Sequence, residues 1–199
     1  GAKGNFGQVC SERMAEEGAN IGFLDIQDTK SIAIQFKKEY PDQIFHSFQV
    51  DISKEDQVIE ISNEIEKKFK RIDHLFNNAG YQGDFTNTIN YSVKDFKKIL
   101  DINVTGAFIM LKTISNIMRK QEPRGGSIVN TASMAGIAVP PNMIAYSTSK
   151  AAVKHMTVLA AKDLAPFDIR VNSISPAYIG PGFMWTRQVE LQAKAGSVY

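Results

Sequence analysis

The chain has 199 residues, 43% of them apolar and 22% charged, with a net charge of +2. That is enough for one domain with a substantial core, and it is the balance of an ordinary globular chain. It leaves no basic footprint for nucleic acid, since Lys67, Lys68, Lys70 and Arg71 stand beside Glu64 and Glu66 and read as a solvated helix end. No apolar run approaches a membrane span and no signal peptide is visible, so a cytoplasmic protein is expected. Cys10 is the single cysteine and allows no internal disulfide, while His46, His74 and His155 are scattered and give no zinc-site spacing.

Along the chain strands and helices alternate with no repeat, low-complexity tract or internal linker, which predicts an α/β fold with a parallel sheet. Gly1-Ala2-Lys3-Gly4-Asn5-Phe6-Gly7 runs straight into an amphipathic helix over 6–17, with Cys10 on its apolar stripe and Gly18 as its stop. An apolar strand over 21–24 delivers Asp25 and Ile26, and one over 44–50 delivers Asp51 and Ile52. Ser53 and Asp56 predict a cap for a helix in which Val58, Ile61, Ile65 and Phe69 hold helical period. The apolar run His74-Leu75-Phe76 leads into Asn77-Asn78-Ala79-Gly80. Ser92 and Asp95 then predict a second cap, before a long helix that carries Asn103 and runs to about Arg119. A strand over 127–130, a loop containing Ser133, a helix over 145–164 and a strand over 169–174 complete the order. Every candidate functional residue thereby falls at the carboxyl end of a strand or on the helix after it, where open α/β sheets bind ligands.

Tyr146 and Lys150 are four residues apart in the helix over 145–164 and share one of its faces. An ammonium near the phenol favours its ionised form, which a tyrosine of ordinary pKa, about 10, needs if it is to act as a base near neutrality. Ser133 precedes Tyr146 by thirteen residues, and Asn103 precedes Ser133 by thirty. This Asn-Ser-Tyr-Lys order resembles the catalytic tetrad of the short-chain dehydrogenase/reductase family. The opening glycines resemble that family's T-G-x-x-x-G-x-G pyrophosphate loop, with Asn5 in the middle glycine's place. Asparagine tolerates positive φ better than most residues, so the loop is expected to survive. Asn77 to Gly80 resemble the family's N-N-A-G turn, and Asp51 stands where the family hydrogen-bonds adenine.

The resemblance implies a Rossmann-like, doubly wound parallel sheet, with residues 1–199 forming a single dinucleotide-binding and catalytic domain. It implies NAD as cofactor, held by Gly1, Lys3, Gly4, Asn5, Phe6 and Gly7 of the loop and by Asp25 and Ile26. Asp51, Ile52, Asn78, Ala79, Gly80, Tyr146, Lys150, Pro176, Ala177 and Ile179 complete the implied cofactor site. A carboxylate at Asp25 accepts from ribose hydroxyls and repels a 2′-phosphate, which favours NAD over NADP. Lys3 is basic, as in NADP-preferring relatives, but Gly4 occupies the place where their basic residue stands. Ala177 replaces the family's usual glycine after Pro176. In the implied mechanism Tyr146 takes the hydroxyl proton, Lys150 lowers its pKa and holds the nicotinamide ribose, and Ser133 orients the substrate oxygen. Asn103 helps to hold a water between Lys150 and solvent.

Tyr81-Gln82-Gly83, the loop over 133–143 and the stretch over 180–194 resemble the xylitol dehydrogenases of that family, which implies a polyol or ketose substrate. Ser133, Met134, Asn142, Met143, Tyr146, Phe183 and Trp185 are the implied substrate residues, and Phe183 and Trp185 read equally as a lid or as hydrophobic anchors of a lid helix. A 3-oxoacyl-carrier or general carbonyl reductase of the same family stays open, and so does a non-catalytic NAD-binding or interaction module. Phe108, Ile109, Met110, Val153, Met156 and Val158 exceed what one sheet-facing stripe requires, which with the family habit predicts a homotetramer. A phosphate loop needs a strand to feed it, and the family continues beyond the position of Tyr199. The chain is therefore expected to be a fragment lacking the first and last strands, with two unpaired edges inside its sheet.

Overall fold

The computed structural model describes residues 1–138, 140–180 and 182–194, apart from the side chains of Phe183 and Met184. Helix α1 (Asn5–Glu16) leads to β1 (Ile21–Asp25), and helix α2 (Lys30–Glu39) carries the chain to β2 (Phe45–Gln49). These strands pair in parallel, Ile21 opposite Phe45 and Asp25 opposite Gln49. Helix α3 (Glu55–Phe69) leads to β3 (His74–Asn77). From there α4 (Val93–Leu100), a π-helical segment (Asp101–Gly106) and α5 (Ala107–Met118) lead to β4 (Gly126–Thr131). Helices α6 (Ala135–Ala138) and α7 (Ile144–Leu164) return to β5 (Ile169–Ile174), and α8 (Phe183–Lys194) follows. Strands β3, β4 and β5 form a parallel ladder in that order. Parallel pairing forces each connection through a helix, so within each ladder the loops after the strands gather on one edge.

The expected sheet is thus present as two parallel ladders, β1-β2 and β3-β4-β5. The main core packs against the larger ladder. Ile128, Ile169 and Val171 meet Ile109, Met110, Ile114 and Met118 of α5, and Val58 and Ile65 of α3 join the same cluster. A second cluster packs Phe23 and Phe45 against Phe36 of α2, with Phe23 and Phe36 edge to face at 5.1 Å. Burying one such side chain contributes roughly 1.5–3 kcal/mol, so the two clusters set the layer geometry that carries the site.

Several local expectations hold. Gly18 follows α1 with φ 88°, a conformation glycine adopts freely. Ser92 accepts from the Asp95 N–H at 3.4 Å. Others need correction. The predicted Ser53 cap is not made: Lys54 is the N-cap residue without a side-chain bond, and Ser53 Oγ donates to Asp51 Oδ1 at 2.8 Å instead. The long helix through Asn103 is interrupted by the π segment, which inserts an extra residue into the turn. It does so where Gly106 meets another element so closely that a Cβ there would lie 2.9 Å from Ile52 Cγ1. Of the six residues expected to form a second apolar face, Ile109, Met110 and Val153 are buried in the chain's own core. Phe108 and Val158, with Leu159, remain about half exposed. Among the described residues no helix is long and apolar enough to cross a membrane, and no group of three or more His, Cys, Asp or Glu could hold a metal ion.

Candidate active site

Three backbone segments meet at the carboxyl ends of β1 and β3. The Ala2 N–H donates to Leu24 O at 3.1 Å, the Lys3 N–H donates to Asp25 Oδ2 at 3.0 Å, and Asn78 Nδ2 donates to Gly1 O at 3.3 Å. A Cβ on Gly1 would lie 2.8 Å from Ala79 Cα, and one on Gly7 would lie 2.3 Å from Gly1 O. Only glycines let the loop, the turn and the helix close on one another here. Helix α1 begins without a side-chain cap at Gly4 and without an acidic residue in its first turn, and the positive end of its dipole there suits an anion.

Asp25 closes β1. Burial raises its carboxyl, while hydrogen bonds from the N–H groups of Gln27 and Lys3 lower it, and the carboxyl stands below the ordinary aspartate value. It is therefore an acceptor-only carboxylate at neutrality. Ile26 beside it is 62% exposed, and Ile179 is 47% exposed. An open helix terminus for a pyrophosphate, a carboxylate for ribose hydroxyls and exposed apolar side chains fit a dinucleotide.

The second half of the site is built on α7. Its Lys150 is only 4% exposed, and Nζ donates to Thr131 O at 2.7 Å, at the end of β4. Burial lowers this ammonium to about 8. Ser133, in the loop after β4, hydrogen-bonds Tyr146 and accepts from the Ala135 N–H at 3.1 Å. That loop reaches α7 because a Cβ on Gly136 would lie 2.6 Å from Ala151 N, a place only glycine fills. Asn103 is buried, and its side chain grips the backbone of Tyr81 at both ends. Oδ1 accepts from the Tyr81 N–H at 2.7 Å and Nδ2 donates to Tyr81 O at 2.9 Å. Nδ2 also donates to Ser149 Oγ at 2.9 Å, which in turn donates to Tyr146 O at 2.7 Å. Asn103, Ser133, Tyr146 and Lys150 are thereby brought together from the π segment, the β4 loop and α7. Gly80 lies between them, since a Cβ there would be 3.4 Å from both Asn103 Oδ1 and Lys150 Nζ.

Burial raises the Tyr146 phenol, and the Ser133 hydrogen bond opposes that rise. The ammonium lies over the ring, 5.6 Å from its centroid, and is held there by the Thr131 carbonyl.

Residues 1–191 match the model of the short chain dehydrogenase family. The chain belongs to that family. It is similar to a crystal structure of NAD⁺-bound xylitol dehydrogenase, 48% identical with a TM-score of 0.91, over 100% of this chain and 75% of that one. Levodione reductase of Leifsonia aquatica is 32% identical over 196 residues, 98% of this chain and 71% of the relative. An NAD-dependent glycerol dehydrogenase of Listeria innocua serovar 6a is 34% identical over 180 residues, 90% of this chain and 68% of the relative.

In this short-chain dehydrogenase several residues chosen from sequence have packing duties. Phe6 lies against Phe76 at 5.7 Å, which fixes α1 on β3, and Ile52 is buried against Gly106. Asp51 commits Oδ1 to the Ser53 N–H and hydroxyl. Met143 is 3% exposed at the start of α7, where it bridges Thr86, so its side chain is packed away from the surface. Asn142 sits at φ 64° and its carbonyl accepts from the Thr86 N–H at 3.0 Å. Met134 is 37% exposed, and its N–H donates to Pro176 O at 2.9 Å, which joins the Ser133 loop to the segment containing Ala177. Trp185 stacks edge to face on Tyr178 at 5.9 Å. The Phe183 side chain lies outside the described residues.

Other residues were missed. Thr131 holds both Lys150 and, through Oγ1 at 3.1 Å, Asn78, while Ser149 and Tyr81 hold Asn103. Behind them runs a buried polar chain: Asn77 Nδ2 donates to Ala107 O and Asn130 Oδ1, and Asn130 Nδ2 donates to Thr157 Oγ1 at 3.0 Å. Asparagines closing two apolar strands were the visible signal, because a buried amide requires partners. A cleft of about 370 Å³ at the opposite, amino-terminal ends of β3 to β5 includes Arg71 and Arg124, each paired with an aspartate, and holds none of the tetrad.

Proposed function

We propose that this short-chain dehydrogenase interconverts a secondary alcohol of a polyol such as xylitol and the corresponding ketose, with NAD as cofactor and Tyr146 as acid and base. The observation that carries the reading is the convergence of Ser133 and Lys150 on Tyr146. The polyol and NAD are supported by the likeness to NAD⁺-bound xylitol dehydrogenase and by the Asp25 carboxylate, which suits free ribose hydroxyls and repels a 2′-phosphate.

When bound, the dinucleotide supplies the hydride acceptor for the carbinol carbon. In alcohol oxidation Tyr146 Oη, ionised, takes the hydroxyl proton as the C–H bond breaks, and in ketone reduction it returns that proton. Ser133 hydrogen-bonds the phenol and the substrate oxygen. A mostly protonated Lys150, with its value near 8, places positive charge over the Tyr146 ring and stabilises the phenolate. Asn103 holds Tyr81 and Ser149 and so keeps the turn after β3 and the first turn of α7 in register. A positioned acid–base group is worth roughly 10²- to 10⁴-fold, about 3–5 kcal/mol of barrier. The remainder comes from placing the carbon against the cofactor. Homotetramer formation belongs to the same reading and is supported by the half-exposed Phe108, Val158 and Leu159 on α5 and α7.

The test is an activity panel of polyols and ketoses run with NAD and NADP on the wild-type protein and on Tyr146→Phe. Turnover of a polyol with NAD, lost in the variant while NAD affinity is kept, is the expected result. A variant that retains a tenth of wild-type kcat removes Tyr146 as the base.

A further inference from the structure

The loop after Gly80 is unusually well braced for a surface segment. Gly83 has φ 73°, and a Cβ there would lie 2.0 Å from Ile99 Cδ1, 2.8 Å from Asp95 Oδ2 and 2.9 Å from Tyr91 Oη. Asp95 Oδ2 accepts from both the Asp84 N–H, at 3.1 Å, and Tyr91 Oη, at 2.9 Å. The Gly83 carbonyl is consequently a fixed acceptor. It accepts from Arg187 Nη1 at 2.8 Å, across 104 residues of sequence, and Arg187 lies on α8. The same guanidinium stands 5.8 Å from the ring centroid of Tyr81, whose other cation is Lys98 at 4.6 Å. Tyr81 is in turn the residue whose backbone N–H and C=O are both held by Asn103.

We infer that Arg187 is a positioning residue that latches α8 over the substrate side of the site, through Gly83 and Tyr81, onto the segment gripped by Asn103. A guanidinium suits this duty because it donates in a plane and stacks on an aromatic face at the same time, which an ammonium does less well. A second contact steadies the start of the helix. The Thr186 N–H donates to Gly182 O at 2.9 Å, and Gly182 has φ 142° and approaches Asn5 so closely that a Cβ would lie 2.1 Å from Asn5 Nδ2. Asn5 is the residue that replaces a glycine of the phosphate loop, so α8 is seated on the cofactor loop at one end and on the turn after β3 one turn later. The inference rests on the proposed function for its effect on turnover, but not for its effect on α8.

Trp185 is the single tryptophan of the chain and lies on α8, so its emission reports the latch directly. Acrylamide quenching of Trp185 is to be compared in the wild-type protein, Arg187→Ala, Arg187→Lys and Tyr81→Leu, with the thermal transition and the NAD dissociation constant measured on each. Losing one charge-assisted hydrogen bond is expected to raise the quenching constant at least about twofold in Arg187→Ala, and KM for the polyol about tenfold. The NAD dissociation constant and the thermal midpoint should stay at their wild-type values, while Arg187→Lys and Tyr81→Leu should give quenching constants between those of wild type and Arg187→Ala. A quenching constant in Arg187→Ala equal to wild type overturns the latch, whatever turnover shows. A quenching response without polyol turnover in the wild type sinks the polyol reading and leaves the latch standing.

Discussion

Lys150→Met separates what the buried ammonium does for stability from what it does for chemistry. Burial lowers Lys150 from 10.5 in the unfolded chain to about 8 in the fold, a difference worth about 3 kcal/mol. Between those two values the unfolded state binds more protons than the folded one, so stability rises with pH across that window. Below about 8 the cost of burying the charge is present in full. Methionine has a similar length and removes that cost, but it also removes the 2.7 Å bond to Thr131 O. A hydrogen bond from a charged donor contributes about 1.5–3 kcal/mol. The two effects nearly cancel, and near pH 7 the variant should lie within about 1.5 kcal/mol of wild type. Raising the pH to about 10 should then stabilise the wild type relative to the variant by most of the 3 kcal/mol. Urea unfolding followed by far-UV circular dichroism at both pH values, on both proteins, measures the difference. Parallel pH profiles would refute the argument, since they would mean that Lys150 titrates alike in the folded and unfolded chains. Turnover should be lost in the variant at either pH.

Asp25→Ser should weaken NAD about tenfold and improve NADP, because acceptor bonds and anionic repulsion disappear together; an unchanged preference in steady-state kinetics with the two cofactors would sink the assignment. Gly83→Ala forces a side chain onto Ile99 at positive φ and should cost about 1–3 kcal/mol or more. Its thermal midpoint should fall by several degrees, and an unaltered midpoint would contradict the bracing of that loop. Sedimentation velocity at micromolar concentration should show a tetramer, and Phe108→Glu with Leu159→Glu should shift it toward smaller species. A wild-type monomer would remove the oligomer reading.

The sequence by itself determined the features that depend on short-range geometry. Four-residue spacing puts Tyr146 and Lys150 on one helix face whatever surrounds them. The glycine run opening onto an amphipathic helix, the Ser92 cap, the stop at Gly18 and the period of Val58 and Ile65 are equally local, and each is where the spacing placed it. The tertiary structure decided whatever depends on depth or on a distant neighbour. Spacing brings a cation near Tyr146 but says nothing of how deeply both are buried, and burial raises the phenol and lowers the ammonium. The excess apolar residues of α5 and α7 could face a partner or the core, and only packing showed that Ile109, Met110 and Val153 take the second course. The π turn that aims Asn103 arises where Gly106 meets Ile52, a contact between elements remote in the chain. Thr131 beneath Lys150, Ser149 beside Asn103 and Arg187 on Gly83 are likewise pairings across 19, 46 and 104 residues. No local pattern encodes such pairs, because a hydrogen bond is specified by where two groups arrive and not by the residues on either side of them.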